Sequence, residues 1–202
     1  MQEIISRIIK FEHGFKPFEI EAKKIFDSYS ISDSKTLAID LLGNEKYQVR
    51  SLAVFILGFI ASKDFEALHI LRSHIGNDQS WQVQEIVAKA FDQYCKDIGY
   101  EESLSVIRDW LKDENPNVCR AVTEGLRIWT SRPFFSDNPQ IAIKLLAQHK
   151  ANQSEYLRKS VGNALRDISK KHRKLVENEI FGWDLSSDLI RFTSKYVTKS
   201  RG

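Results

Sequence analysis

The sequence predicts an all-α chain of stacked helical repeats, and three observations carry that reading. First, an apolar ladder spaced i, i+3, i+4, i+7, i+8 occurs four times: Val49, Leu52, Ala53, Ile56, Leu57; Val83, Ile86, Val87, Ala90, Phe91; Val118, Ala121, Val122, Gly125, Leu126; and Leu157, Ser160, Val161, Ala164, Leu165. This spacing places one stripe of a helix against a core. Second, the ladder anchors lie 34, 35 and 39 residues apart, which suits one helix pair per repeat and falls a little below the ~40–47 of HEAT units. Third, only 9 Gly and 4 Pro occur in 202 residues, and alternating strand-like runs are few, so helix is expected throughout. The tetratricopeptide and ankyrin patterns of similar period are missing. A HEAT-like solenoid, an α-α superhelix with a concave binding face, is therefore the expected fold.

Taken in order, residues 1–43 read as N-terminal capping helices, broken at Gly14 to Pro17 and near Ser30, where Ser32 or Asp33 is suited to cap the next helix. Residues 44–171 read as four repeats. Their ladder helices are expected at Glu45 to Ile60, Ser80 to Lys96, Asn115 to Thr130 and Ser154 to Ser169, with partner helices at Asp64 to Ile75, Glu101 to Leu111 and Asn138 to Gln148. Asn115 and Pro116 suit the start of the third, Asn as cap and Pro in the first turn. RPFFSDNP, from Arg132 to Pro139, is expected to be a loop. Residues 172–202 then close the C-terminal end with helices at Val176 to Phe181 and Ser187 to Val197. No linker divides the chain, so a single domain over 1–202 is expected, and a monomer.

Composition sets limits on function. With 42% hydrophobic and 28% charged residues, the chain reads as an ordinary soluble protein. The N-terminus lacks a signal-peptide pattern, and the apolar run from Leu52 to Ala61 is too short to cross a bilayer, so a cytoplasmic location is expected. Cys95 and Cys119 are expected to be buried thiols. His69 and His74 fall on different helix faces and have no acidic companion in ligand spacing, so no metal and no cofactor is expected. The formal charge of +3 permits nucleic-acid binding without requiring it. Basic residues concentrate late, at Lys170, Lys171, Arg173, Lys174, Lys195, Lys199 and Arg201; they form either a solvated helix face or phosphate contacts.

The faces opposite the ladders differ between repeats. They read Ser51, Phe55, Gly58 in the first; Glu85, Lys89, Asp92 in the second; Arg120, Glu124, Arg127 in the third; and Lys159, Asn163, Arg166 in the fourth. Repeats two to four thus supply a strip of alternating charge, the kind of surface that helical arrays use for binding, though a solvated face reads the same. Trp129 closes the third segment. Trp81 and Glu85, four apart, share one helix face, where an aromatic ring beside a carboxylate suits a cationic ligand; the plain alternative is a Trp packed between repeats and a solvated Glu.

The strings YQVRSLAVFILG, WQVQEIVAKAF, NVCRAVTEGLRIW and YLRKSVGNALRDISKKH, in that order between Tyr47 and Lys174, resemble the HEAT-like-repeat alkylpurine DNA glycosylases, the AlkC/AlkD superfamily of DNA alkylation repair proteins. VCRAVTEG and RKSVGNALRDISK are closest to the AlkC branch. In the AlkD branch a Trp, a catalytic Asp four residues on, an Arg in the next repeat and a Trp in the last line the DNA cleft. Trp81 matches the first, Glu85 stands where the Asp would be, Arg120 matches the Arg, and the fourth position reads Asn163. The resemblance implies hydrolysis of the N-glycosidic bond of cationic alkylated bases in duplex DNA, with Glu85 and Trp81 as catalytic residues and Arg120, Arg127 and Arg166 holding phosphates. The charged strip of the repeat faces, Lys89, Arg120, Glu124, Arg127, Lys159, Asn163 and Arg166, together with Trp129, is the surface expected to contact DNA. The alternative is a non-catalytic HEAT-repeat module that binds DNA or a protein partner.

Overall fold

In the computed structural model, which describes residues 2–75 and 78–199, the described residues form helices and no strand. The chain falls into two compact units, Met1–Ile98 and Gly99–Gly202.

The first unit contains α1 (Gln2–Ile8), α2 (Lys16–Ser28), α3 (Ile31–Leu42), α4 (Tyr47–Ile60), α5 (Phe65–Ile75) and α6 (Trp81–Ile98). Its centre is α4, which packs against α2, α3, α5 and α6. That helix is apolar on nearly every side, so Ser51 and Phe55, expected on an open face, are buried along with the ladder. Gly58 permits the close approach to α6: a Cβ there would meet Ala90 Cβ at 2.7 Å. The cap of α3 is Ser30, not Ser32 or Asp33; its side chain accepts from the Asp33 N–H at 3.1 Å.

The second unit contains α7 (Leu104–Leu111), α8 (Pro116–Gly125), a 3-10 turn at Trp129–Ser131, α9 (Pro133–Asp137), α10 (Pro139–Ala147), α11 (Glu155–Phe181) and α12 (Asp188–Thr198). Here α11 packs against α8, α10 and α12. Two expectations are corrected. The third ladder helix stops at Gly125 instead of running to Thr130, and the expected loop from Arg132 to Pro139 contains α9. One cause accounts for both: Trp129 and Phe135 turn inward and meet edge to face, with ring centroids 4.8 Å apart, and both are fully buried. The Arg132 guanidinium donates to the Gly125 carbonyl at 3.1 Å, satisfying an acceptor left open by the helix end. The helices expected at Ser154 to Ser169 and Val176 to Phe181 are joined in α11, which kinks at His172, where φ is −126° and ψ is 49°.

All four ladder helices are as buried as their spacing requires; of the ladder residues only Gly125 is not buried. Each also begins in the same way. Five residues before each anchor stands Asn44, Asp78, Asp113 or Asn152, whose side-chain oxygen accepts the N–H two residues on, at 2.9, 2.8, 2.9 and 2.9 Å. The residue just after each anchor then reaches back to the carbonyl of that same Asn or Asp: Arg50 at 2.9 Å, Gln84 at 3.1 Å, Cys119 at 3.3 Å and Arg158 at 2.5 Å. The four loops therefore share one polar lock, closed by Arg in the first and fourth repeats, by Gln in the second and by Cys in the third. Such locks satisfy backbone groups that a buried turn would otherwise strand.

Candidate nucleic-acid interface

In the first unit, Trp81, Glu85 and Lys89 occupy i, i+4 and i+8 on α6, opposite the buried Val83, Ile86 and Val87. Trp81 is the first residue of the helix and is 64% exposed. It is not a packing residue between repeats. Glu85 is half-buried one turn behind it, and Lys89 is exposed one turn further on. An aromatic face beside a partly desolvated carboxylate attracts a cation by both quadrupole and charge.

Beneath the start of α6 lies a polar cluster that the sequence reading missed. The Arg50 guanidinium grips Asp78 with two bonds, Nε to Oδ2 at 2.7 Å and an Nη to Oδ1 at 3.0 Å. His74 Nε2 lies 3.4 Å from Asp78 Oδ2, at the long end for a hydrogen bond. Burial would raise the Asp78 pKa, but His74, Arg50 and the Ser80 N–H outweigh it and hold the carboxyl well below the usual carboxylate range. Arg50 belongs to a quoted motif, yet its partner is 28 residues away, beyond any helical spacing.

In the second unit, Arg120 and Glu124 lie one turn apart on α8, both half-buried, and Arg127 follows the helix end. Glu124 accepts from the Ser160 hydroxyl of α11 at 2.5 Å. Arg127 lies 3.3 Å from Asp167 and 3.8 Å from Glu124. Asp167 also pairs with Lys170; burial would raise its pKa, and Lys170 and Arg127 together lower it. Glu124 and Arg127 thus tie α8 to α11. Lys159 pairs with Glu155 at 2.6 Å, while Asn163 and Arg166 follow on the same face of α11.

Trp129 must be withdrawn from the interface. It is 0% exposed, so no ligand reaches its ring. An aromatic that the sequence reading passed over stands on that side instead: Tyr156, 72% exposed, shares the spacing of Lys159, Asn163 and Arg166, and the Lys159 ammonium lies 5.7 Å from its ring centre. The i, i+3, i+7, i+10 series was legible in the sequence. Of the late basic residues, Arg201 lies outside the described residues.

Cys95 and Cys119 are buried free thiols. Among the described residues, no group of three His, Cys, Asp or Glu side chains is arranged to hold a metal ion, and no helix is long and apolar enough to cross a membrane.

Comparison with known proteins agrees with the helical repeat. The crystal structure of AlkD2 from Streptococcus mutans is similar to this chain at 46% identity and a TM-score of 0.95, covering 98% of this chain and 97% of that one. Pseudomonas fluorescens alkylpurine DNA glycosylase AlkC, bound to DNA containing an abasic site analogue, shares the fold at 19% identity and a TM-score of 0.53, covering 91% of this chain and 60% of that one. An uncharacterized Bacillus subtilis protein, YhaZ, is 23% identical over 212 residues, and the chain spans 57% of its length. The family described as DNA alkylation repair enzyme matches residues 19–180. With four-fifths of its length matched by that family, and with AlkD2 resembling it nearly end to end, this chain belongs to the DNA alkylation repair enzymes.

Proposed function

We propose that the protein binds duplex DNA and hydrolyses the N-glycosidic bond of cationic alkylated bases. The observation that carries this reading is the exposed Trp81 ring with Glu85 one turn behind it. A positively charged base is already a good leaving group and needs no protonation. What remains is to stabilise the positive charge that develops on the deoxyribose as the bond breaks, a task for a fixed carboxylate. Glu85 supplies that charge and takes a proton from the attacking water, whose oxygen adds to the sugar as the base departs neutral. Trp81 packs on the sugar. Arg120 holds a phosphate through its guanidinium fork, fixing register without reading sequence.

A second reading, a non-catalytic module that binds DNA or a protein partner, is favoured by two observations. Asn163 stands where an aromatic wall is expected, and Arg127 and Lys159 are engaged in ion pairs within the chain. Base release from methylated duplex by the wild type and by Glu85→Gln separates the two. The first reading expects release by the wild type alone; the second expects duplex or partner binding with no release from either.

A further inference from the structure

Past the kink in α11 lies a cavity of about 480 Å³ between that helix and the end of α12. It is basic: Arg166, Lys170, Arg173 and Lys199 line it, against the single carboxylate of Glu177. Its floor is apolar, formed by Val176, Ile180 and Val197. α12 is in close contact with α11 ahead of the kink, where Gly162 meets Tyr196; the cavity is flanked by residues from both sides of His172.

Two of the four cations are already balanced. Arg173 pairs with Glu177 at 2.7 Å, and Lys170 pairs with the buried Asp167. Arg166 and Lys199 have no ion-pair partner among the described residues, and the Arg166 Nε is buried without a hydrogen bond. The cavity therefore holds two uncompensated positive charges, one of them on a guanidinium whose fork matches phosphate oxygens. The volume falls in the range of small-molecule sites, and the residues lining it are mainly polar, so charge and hydrogen bonding carry recognition here more than apolar burial does.

We propose that this cavity binds a phosphomonoester of nucleotide size, its dianion between Arg166 and Lys199 and its sugar and base over Val176, Ile180 and Val197. The ligand is either a free nucleoside monophosphate or the 5′-phosphorylated end of a DNA strand. Preference for a nucleotide over other phosphomonoesters rests on the reading of the chain as a DNA-binding protein; the charge and volume do not.

The test is calorimetric titration of the full chain with deoxyadenosine monophosphate and with deoxyadenosine, alongside competition between blunt duplexes bearing 5′-phosphate or 5′-hydroxyl ends. Saturable binding of the monophosphate, with the nucleoside about 10- to 100-fold weaker, is expected for charge-assisted contacts. Lys199→Glu should weaken monophosphate binding by a similar factor, and Lys199→Arg should retain it. Tight monophosphate binding assigns the free nucleotide as ligand; preference for phosphorylated ends without it assigns the strand terminus. Failure to bind the monophosphate together with indifference to the end group would overturn the proposal, as would binding untouched by Lys199→Glu. None of these readouts requires base release, so a negative result here leaves the assignment of Trp81 and Glu85 standing.

Discussion

Asp78 shows how much a single side chain can carry without belonging to the site. Its carboxylate is 1% exposed, gripped by Arg50 and by its own loop, directly before the helix that presents Trp81. Asp78→Ala leaves a guanidinium without its partner in a poorly solvated place, so a loss of about 3–5 kcal/mol is expected in denaturant unfolding. The native carboxyl titrates below its unfolded value near 3.9. Its contribution is therefore fully present above about pH 4 and is lost as pH falls through the lower native value. Wild-type stability should drop below pH 4, and the drop should shrink in Asp78→Ala. At this scale the helix-face residues were legible, since Trp81, Glu85 and Lys89 follow one period; Asp78 and Arg50 meet through tertiary folding, which no spacing encodes.

At the scale of elements, the ladders were readable because each buries a full stripe, and the α8 end was misread because its apolar pattern continues past Gly125. Trp129 fits a helical reading of NVCRAVTEGLRIW equally well; what stops the helix is the demand of its ring for the space beside Phe135. Trp129→Ala should therefore cost about 3–5 kcal/mol of stability, while duplex affinity at a temperature well below the melt stays within about twofold of the wild type. A selective loss of DNA binding at unchanged melting temperature would return Trp129 to the interface. Gly58→Ala tests the contact between α4 and α6. A methyl group 2.7 Å from Ala90 Cβ and 2.9 Å from its Cα has no flexible side chain to displace. A loss of about 1–3 kcal/mol from overpacking is expected, read from the urea midpoint. The Asn or Asp five residues before each anchor was visible as a composition pattern, but its lock was not, because Arg, Gln, Cys and Arg close it in turn.

For the whole molecule, net charge was a weak guide and pairing a better one. Arg127 and Lys159 of the predicted strip are paired with carboxylates of the chain, so the number of phosphates contacted should be smaller than the number of its cations. Duplex affinity is expected to fall linearly on logarithmic axes with salt, and Arg120→Ala should reduce the slope by about one phosphate. An unchanged slope would remove Arg120 from the DNA contacts. The most direct measurement of the central claim is a single-turnover time course of base release from a duplex carrying a cationic methylated purine, with chelator present, comparing the wild type with Glu85→Gln. Glu85→Gln preserves the shape and removes the charge. The account predicts release by the wild type and a loss of about 100- to 1000-fold in the variant, the size typical of deleting one electrostatic stabiliser, with duplex binding retained. Equal release by the two proteins, or none by the wild type on a duplex it demonstrably binds, would contradict it.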